Sequence, residues 1–162
     1  MRILYGIYEK LLLLSVILAA SLVFFMTVTV SADVILRNLN WGNLPWVVEV
    51  SEFILFLATF LAAPWVMHLD AHTRVDVAIQ LLPPKGRQVV GVAGDVLVLA
   101  VCLFLLIYGI RTDWEAFRLH GMIYKQLVVP EWWLLAVIPF SGLLLTVEFI
   151  LRLLHRMGWD PY

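Results

Sequence analysis

Apolar positions in this chain do not alternate or fall on one helical stripe; they run unbroken. Between Lys10 and Asp33 no residue is charged, and residues 11–32 form a complete apolar stretch. A bilayer core about 30 Å thick needs roughly 20 apolar residues in a helix, because the backbone has no water to bond in lipid. Four segments meet that length: residues 10–37, 46–68, 86–118 and 131–156. The pattern therefore predicts an all-α integral membrane protein with four transmembrane helices in a single membrane domain. The third segment stays helical in spacing through its polar continuation at residues 111–118, and about 33 residues at ~1.5 Å each give roughly 50 Å, so it must tilt or project. Pro64 and Pro139 lie inside spans, where neighbouring groups can satisfy the carbonyls they free.

Charge in the connecting segments predicts the orientation. Arg2 and Lys10 lie at the N-terminus, Arg74, Lys85 and Arg87 in the loop after the second span, and Arg152 and Arg156 at the C-terminus, against Arg37, Arg111, Arg118 and Lys125 on the other side. The excess of basic residues places both termini and the middle loop in the cytoplasm. Trp41, Trp46, Trp114, Trp132 and Trp133 then gather at the outer interface, and Tyr5, Tyr8, Trp159 and Tyr162 at the inner one, where amphipathic rings prefer to sit. The first segment could be read as a cleaved leader ending at Val30-Ser31-Ala32, but its apolar run is longer than the ~7–15 residues of a secretory leader, so a retained span is expected. Residues 75–82 carry Asp76 and Gln80 on one helical face and Val75, Ile79 and Leu82 on the other, the pattern of a short amphipathic segment lying in the interface. An extended segment would fit those eight residues nearly as well.

Composition narrows the class further. Of the 162 residues 63% are hydrophobic and 14% charged, which leaves too little polar surface for a water-soluble domain. A net charge of -1 offers no attraction for nucleic acid, and the lone Cys102 excludes disulfide frameworks and cysteine-rich metal sites. No serine-histidine-acid set, glycine-rich phosphate loop or paired catalytic carboxylate stands out, so neither catalysis nor a cofactor is expected.

Acidic residues inside spans are costly and each needs a reason. Glu49 and Glu52 share a face near the start of the second span. They could form an ion or proton site, as in small four-helix exporters, but pairing with Arg37, itself four residues after Asp33, is the expectation favoured here. Asp95 and Glu148 lie toward the cytoplasmic ends of their helices, within reach of snorkelling cations, and are expected to anchor structure. His68 and His72 are four apart near Asp70 and Asp76, and His155 is the candidate to oppose His68, which raises metal or haem ligation as an alternative. Interfacial hydrogen bonding is the expectation, because none of the four histidines lies mid-span. Gly91 and Gly94, with Ser31 and Ala32 on the first helix, are the expected points of close helix contact. The halves show no matched broken helices of an inverted-repeat transporter.

In order and spacing these elements resemble the small, Q-type membrane subunit of tripartite ATP-independent periplasmic (TRAP) transporters over nearly the whole chain. The resemblance rests on Arg37 after the first helix, Glu49 and Glu52 opening the second, and a loop His72-x-x-Val75-Asp76, with Arg74 inside it, before Pro83-Pro84. It is completed by Pro130-Glu131-Trp132-Trp133 leading into a helix with Pro139 and Gly142. Where the family often carries more basic residues upstream of the loop histidine, this chain has His68, Leu69 and Asp70. The resemblance implies a non-transporting scaffold for a large, M-type membrane subunit that carries an organic anion inward on a sodium gradient. It also implies a periplasmic substrate-binding protein as a partner, alongside the lipid of a bacterial inner membrane. Two other classes compete: a membrane anchor of a quinone or haem oxidoreductase, and an autonomous small exporter using Glu49 or Glu52.

Overall fold

The computed structural model describes residues 2–69, 84–125 and 127–156. The interfacial segment 75–82, and with it His72, Arg74 and Asp76, lies outside the described residues. The elements are α1 (Arg2–Asn38), α2 (Trp46–Leu69), α3 (Pro84–Arg118), a hairpin of β1 (Met122–Tyr124) and β2 (Val128–Pro130), α4 (Glu131–Leu135) and α5 (Val137–Arg156). Four helical stretches are long and apolar enough to cross a membrane, the last combining α4 and α5.

The helices form where the sequence offers nothing to compete with them. Hydroxyls within α1 bond to their own preceding turns: Ser21 to the Leu18 carbonyl, Thr27 to Val23, Thr29 to Phe25 and Ser31 to Thr27, so none presents an unsatisfied group to lipid. Both α1 and α3 end in the same way. Asn40 takes a left-handed φ of 56°, its N–H bonds the Arg37 carbonyl at 3.2 Å and the Trp41 N–H bonds the Leu36 carbonyl at 3.0 Å. At the end of α3, His120 has φ 52°, with His120 N–H on the Phe117 carbonyl at 3.3 Å and Gly121 N–H on the Ala116 carbonyl at 3.1 Å. This paired 5→2 and 6→1 arrangement is a Schellman cap, here built on asparagine and histidine rather than glycine.

The last span is interrupted where a continuous helix was expected. Pro139 has no N–H for the Leu135 carbonyl and its ring crowds that carbonyl, so the helix lapses at Ala136. The bonds Ala136 N to Trp132 O, 2.9 Å, and Phe140 N to Ala136 O, 3.4 Å, carry the chain across the break.

The packing order is serial: α1 against α2, α2 against α5, and α5 against α3. Consequently α5 is the most enclosed, with 44% of its most apolar stretch buried against 11% for α3. One apolar cluster joins Ala19, Ala58, Leu61 and Val137, and a second joins Tyr8, Leu12 and Leu144. Close contact between α3 and α5 depends on glycine. A Cβ on Gly142 would lie 3.2 Å from the Leu106 Cα, and one on Gly109 would lie 3.0 Å from Ile138 Cγ2 and 3.2 Å from Pro139. The expected contact through Gly94 is not made, since a Cβ there meets nothing within 4 Å. The physical reason is the packing order, which sets α1 and α3 on opposite flanks of the α2–α5 pair.

The hairpin is an addition to the all-α expectation. Its antiparallel register sets Met122 opposite Pro130, Ile123 opposite Val129 and Tyr124 opposite Val128. It sits at the end of the bundle where α2 and α4 begin.

Candidate functional site

Ionisable side chains among the described residues collect in two layers, one at each end of the bundle. At the hairpin end, α1 places Asp33 one turn before Arg37. The Asp33 side chain is buried, accepts from Arg37 Nη2 at 2.8 Å and, through its other oxygen, from the Leu44 N–H at 2.7 Å. One carboxylate thus holds both the helix end and the turn into α2. The start of α2 then fixes the hairpin: Glu49 Oε2 accepts from the Leu127 N–H at 2.9 Å, and Glu52 pairs with Lys125, whose ammonium also lies 5.8 Å from the Phe53 ring centroid.

These partners correct the expected pairing of Arg37 with Glu49 and Glu52. Arg37 pairs with Asp33 on its own helix, and the cation on Glu52 is Lys125. The hydrogen bond to Glu52 raises the Lys125 ammonium above its ordinary pKa of 10.5, opposed by desolvation and aided by the charges of Glu52 and Glu49. A lysine raised in this way contributes at every pH below its unfolded value, and the contribution is lost as pH climbs through the folded one, so the clamp is constant across neutral pH.

Aromatic rings continue the same layer. Trp114 and Phe117 on α3 lie 6.3 Å apart, Phe117 meets Trp132 edge-on at 5.7 Å, and Trp132 meets Trp133 at 6.0 Å. Pro130 closes β2 and supplies the extended residue before α4. Gly121 lies close to α4: its carbonyl accepts from the Glu131 N–H at 3.0 Å, and a Cβ would stand 2.7 Å from Glu131 Oε2, so a larger residue there would displace that carboxylate tip.

At the opposite end Glu148 is the hub. It is 6% exposed and gathers three helices. The Tyr8 hydroxyl of α1 lies 2.9 Å from Glu148 Oε2 and 3.1 Å from the Leu144 carbonyl. His68 Nδ1 of α2 lies 3.0 Å from the same carboxylate oxygen, and Arg152 Nε, one turn along α5, donates to Oε1 at 3.2 Å. The guanidinium stacks 4.9 Å from the Phe149 ring centroid, and its buried Nη2 has no hydrogen-bond partner among the described residues. Asp95 is buried on α3. The site residues expected from sequence therefore divide: Arg37, Glu49, Glu52, Pro130, Trp132 and Trp133 come together at the hairpin end, with Glu148 at the other. His68 lies against Glu148, and the His155 side chain once weighed against it for haem lies outside the described residues.

Sequence reasoning missed three members. Tyr8 looked like an interfacial ring, Lys125 like a loop cation, and Asp33 only like a helix-spacing partner. Two signals existed: Asp33 ends a long uncharged run, and buried carboxylates need donors. What arrangement of helices supplies the donors was not readable.

Comparison with known proteins agrees with this architecture. Residues 26–158 match the family profile described as tripartite ATP-independent periplasmic transporters, DctQ component. A protein of Haemophilus influenzae named as a candidate TRAP transporter small permease is 26% identical over 148 residues, covering 84% of this chain and 89% of the relative. The chain belongs to the DctQ-component family of TRAP transporters, and is therefore a multi-pass membrane subunit of such a transport system.

Proposed function

We propose that this chain is the non-transporting scaffold subunit of a sodium-coupled uptake system in a bacterial inner membrane. It would hold a large membrane subunit that moves an organic anion delivered by a periplasmic binding protein. The observation that carries the reading is the segregation of ionisable groups: Asp33, Arg37, Glu49, Glu52 and Lys125 at one end, Glu9, Lys10, His68, Glu148 and Arg152 at the other. Between them, among the described residues, the buried side chains are apolar or are small hydroxyls: Ser15 and Thr146 bond to their own helix, and the Ser141 hydroxyl has no hydrogen-bond partner. A path for a charged substrate needs polar groups at mid-depth, and burying an ion without them is prohibitive.

The basic-residue bias supports a periplasmic hairpin end, with both termini cytoplasmic. In that orientation the clamped hairpin and the aromatic layer face the binding protein, and the hub of Glu148 faces the cytoplasm. The wide apolar flanks of α1 and α3 offer surface for lateral packing, where fit rather than hydrophobicity selects a partner.

The test is co-expression with the large-subunit gene, which should give a one-to-one complex in mild detergent. Proteoliposomes holding both membrane subunits and the binding protein should show sodium-dependent uptake, and those holding this chain alone should show none. Uptake by the isolated chain overturns the scaffold assignment.

A further inference from the structure

A groove of about 310 Å3 opens between α1 and α2 at the Glu148 end, lined by Glu9, Lys10 and Leu13 and by Trp65 and His68. Helical spacing explains the lining. Glu9 and Lys10 stand four and three residues before Leu13, and Trp65 stands three before His68, so each set shares a face. The α2 wall is fixed from behind. Trp65 packs on the cluster of Tyr8, Leu12 and Leu144, its ring 6.0 Å from that of His68, and His68 is held by Glu148.

The α1 wall is different. Glu9 and Lys10 are exposed and opposite in charge, and neither makes an ion pair or hydrogen bond among the described residues. They lie one to two turns inside a span that starts at Tyr5. Charges at that depth with no partner among the described residues are costly, and the medium that can reach them is the headgroup layer.

We propose that this groove binds a phospholipid with a primary-amine headgroup, of the phosphatidylethanolamine type. Its phosphate meets Lys10, its ammonium donates to Glu9, and its first acyl methylenes lie over Leu13 and Trp65. Charge complementarity selects this class. An anionic glycerol headgroup satisfies Lys10 but sets its charge beside Glu9 and brings no cation. A choline headgroup brings a cation that has no N–H to donate.

The full chain in mild detergent, doped with equal amounts of palmitoyl-oleoyl phosphatidylethanolamine, phosphatidylglycerol and phosphatidylcholine, is examined by native mass spectrometry. The ethanolamine lipid should be retained about three- to fivefold over each of the others, the ratio for one partly exposed charge-assisted contact. Glu9→Gln should abolish its advantage over phosphatidylcholine, Lys10→Gln should weaken all three lipids, and Arg111→Gln at the hairpin end should change nothing. Leu13→Trp fills the groove without touching either charge and should reduce retention of all three. Equal retention by the native chain, preference for phosphatidylglycerol, or an ethanolamine advantage that survives Glu9→Gln overturns the proposal.

Discussion

At the scale of single residues, the buried Glu148 carboxylate decides how α1, α2 and α5 meet. Its two oxygens serve Tyr8, His68 and Arg152, and its worth lies in the asymmetry between a satisfied and an unsatisfied buried group. Removing the Tyr8 hydroxyl deletes one donor and leaves the carboxylate with two, so Tyr8→Phe should cost about 1 kcal/mol. Glu148→Ala leaves the Arg152 guanidinium, 18% exposed in its side chain, without an acceptor, and breaking a buried pair from one side costs about 3–5 kcal/mol. Adding Tyr8→Phe to Glu148→Ala should then cost less than Tyr8→Phe alone, because the hydroxyl has already lost its carboxylate acceptor and keeps only the neutral Leu144 carbonyl. Thermal unfolding of the four proteins in one detergent measures the cycle. Strictly additive losses would mean that the Tyr8 contact carries no energy. The acid itself was legible as an intramembrane carboxylate near a cationic i+4 neighbour. Its tyrosine and histidine were not, since they lie 140 and 80 residues away and only the packing of three helices brings them in.

At the scale of elements, the apolar runs encode the spans almost completely, because lipid allows the backbone no other open solution. How the spans pack is encoded far more weakly. Of the glycines the sequence pointed to on α3, Gly94 meets nothing within 4 Å, whereas the contact with α5 uses Gly109 and Gly142, because α3 lies against α5 rather than α1. Gly142→Ala would press a methyl to 3.2 Å of the Leu106 backbone, and Gly109→Ala to 3.0 Å of Ile138. Backbone cannot yield as a side chain tip can, and the Gly109 Cβ would also stand 3.2 Å from the Pro139 nitrogen, so each substitution should cost about 1–3 kcal/mol. Gly94→Ala meets open space and gains helix propensity, so it should be neutral or stabilising by up to ~1 kcal/mol. Melting in a common detergent ranks the three, and Gly94→Ala as the worst would contradict the packing order. The hairpin escaped the sequence for another reason. Strands of three residues are too short for alternation to register, and the clamp from Glu49 and Glu52 spans more than 70 residues of chain.

At the scale of the whole molecule, serial packing of four helices leaves α1 and α3 with long apolar flanks, including Leu14, Phe24, Leu97 and Phe104, each more than half exposed. In water such surface would drive aggregation, but acyl chains solvate it as well as another protein does. Apolar content therefore says nothing about which residues hold the bundle together, and burial does. Alanine at Phe24 or Phe104 exchanges one lipid-solvated side chain for another and should leave the melting of the isolated chain within about 0.5 kcal/mol. Leu144, 2% exposed between Tyr8 and Leu12, is the contrast. Its truncation removes packing that lipid cannot replace and leaves a cavity, so Leu144→Ala should cost about 2 kcal/mol or more even without a water-to-oil term. In the TRAP complex the ranking separates once more. A flank residue that packs against the large subunit should, as alanine, lower recovery of the complex while leaving the isolated chain unmoved, and a lipid-facing one should change neither. Thermal unfolding of each variant alone, followed by recovery with the large subunit, tests both halves. If alanine at Phe24 and Phe104 destabilises the isolated chain as much as Leu144→Ala, the flanks are core and the serial arrangement is wrong.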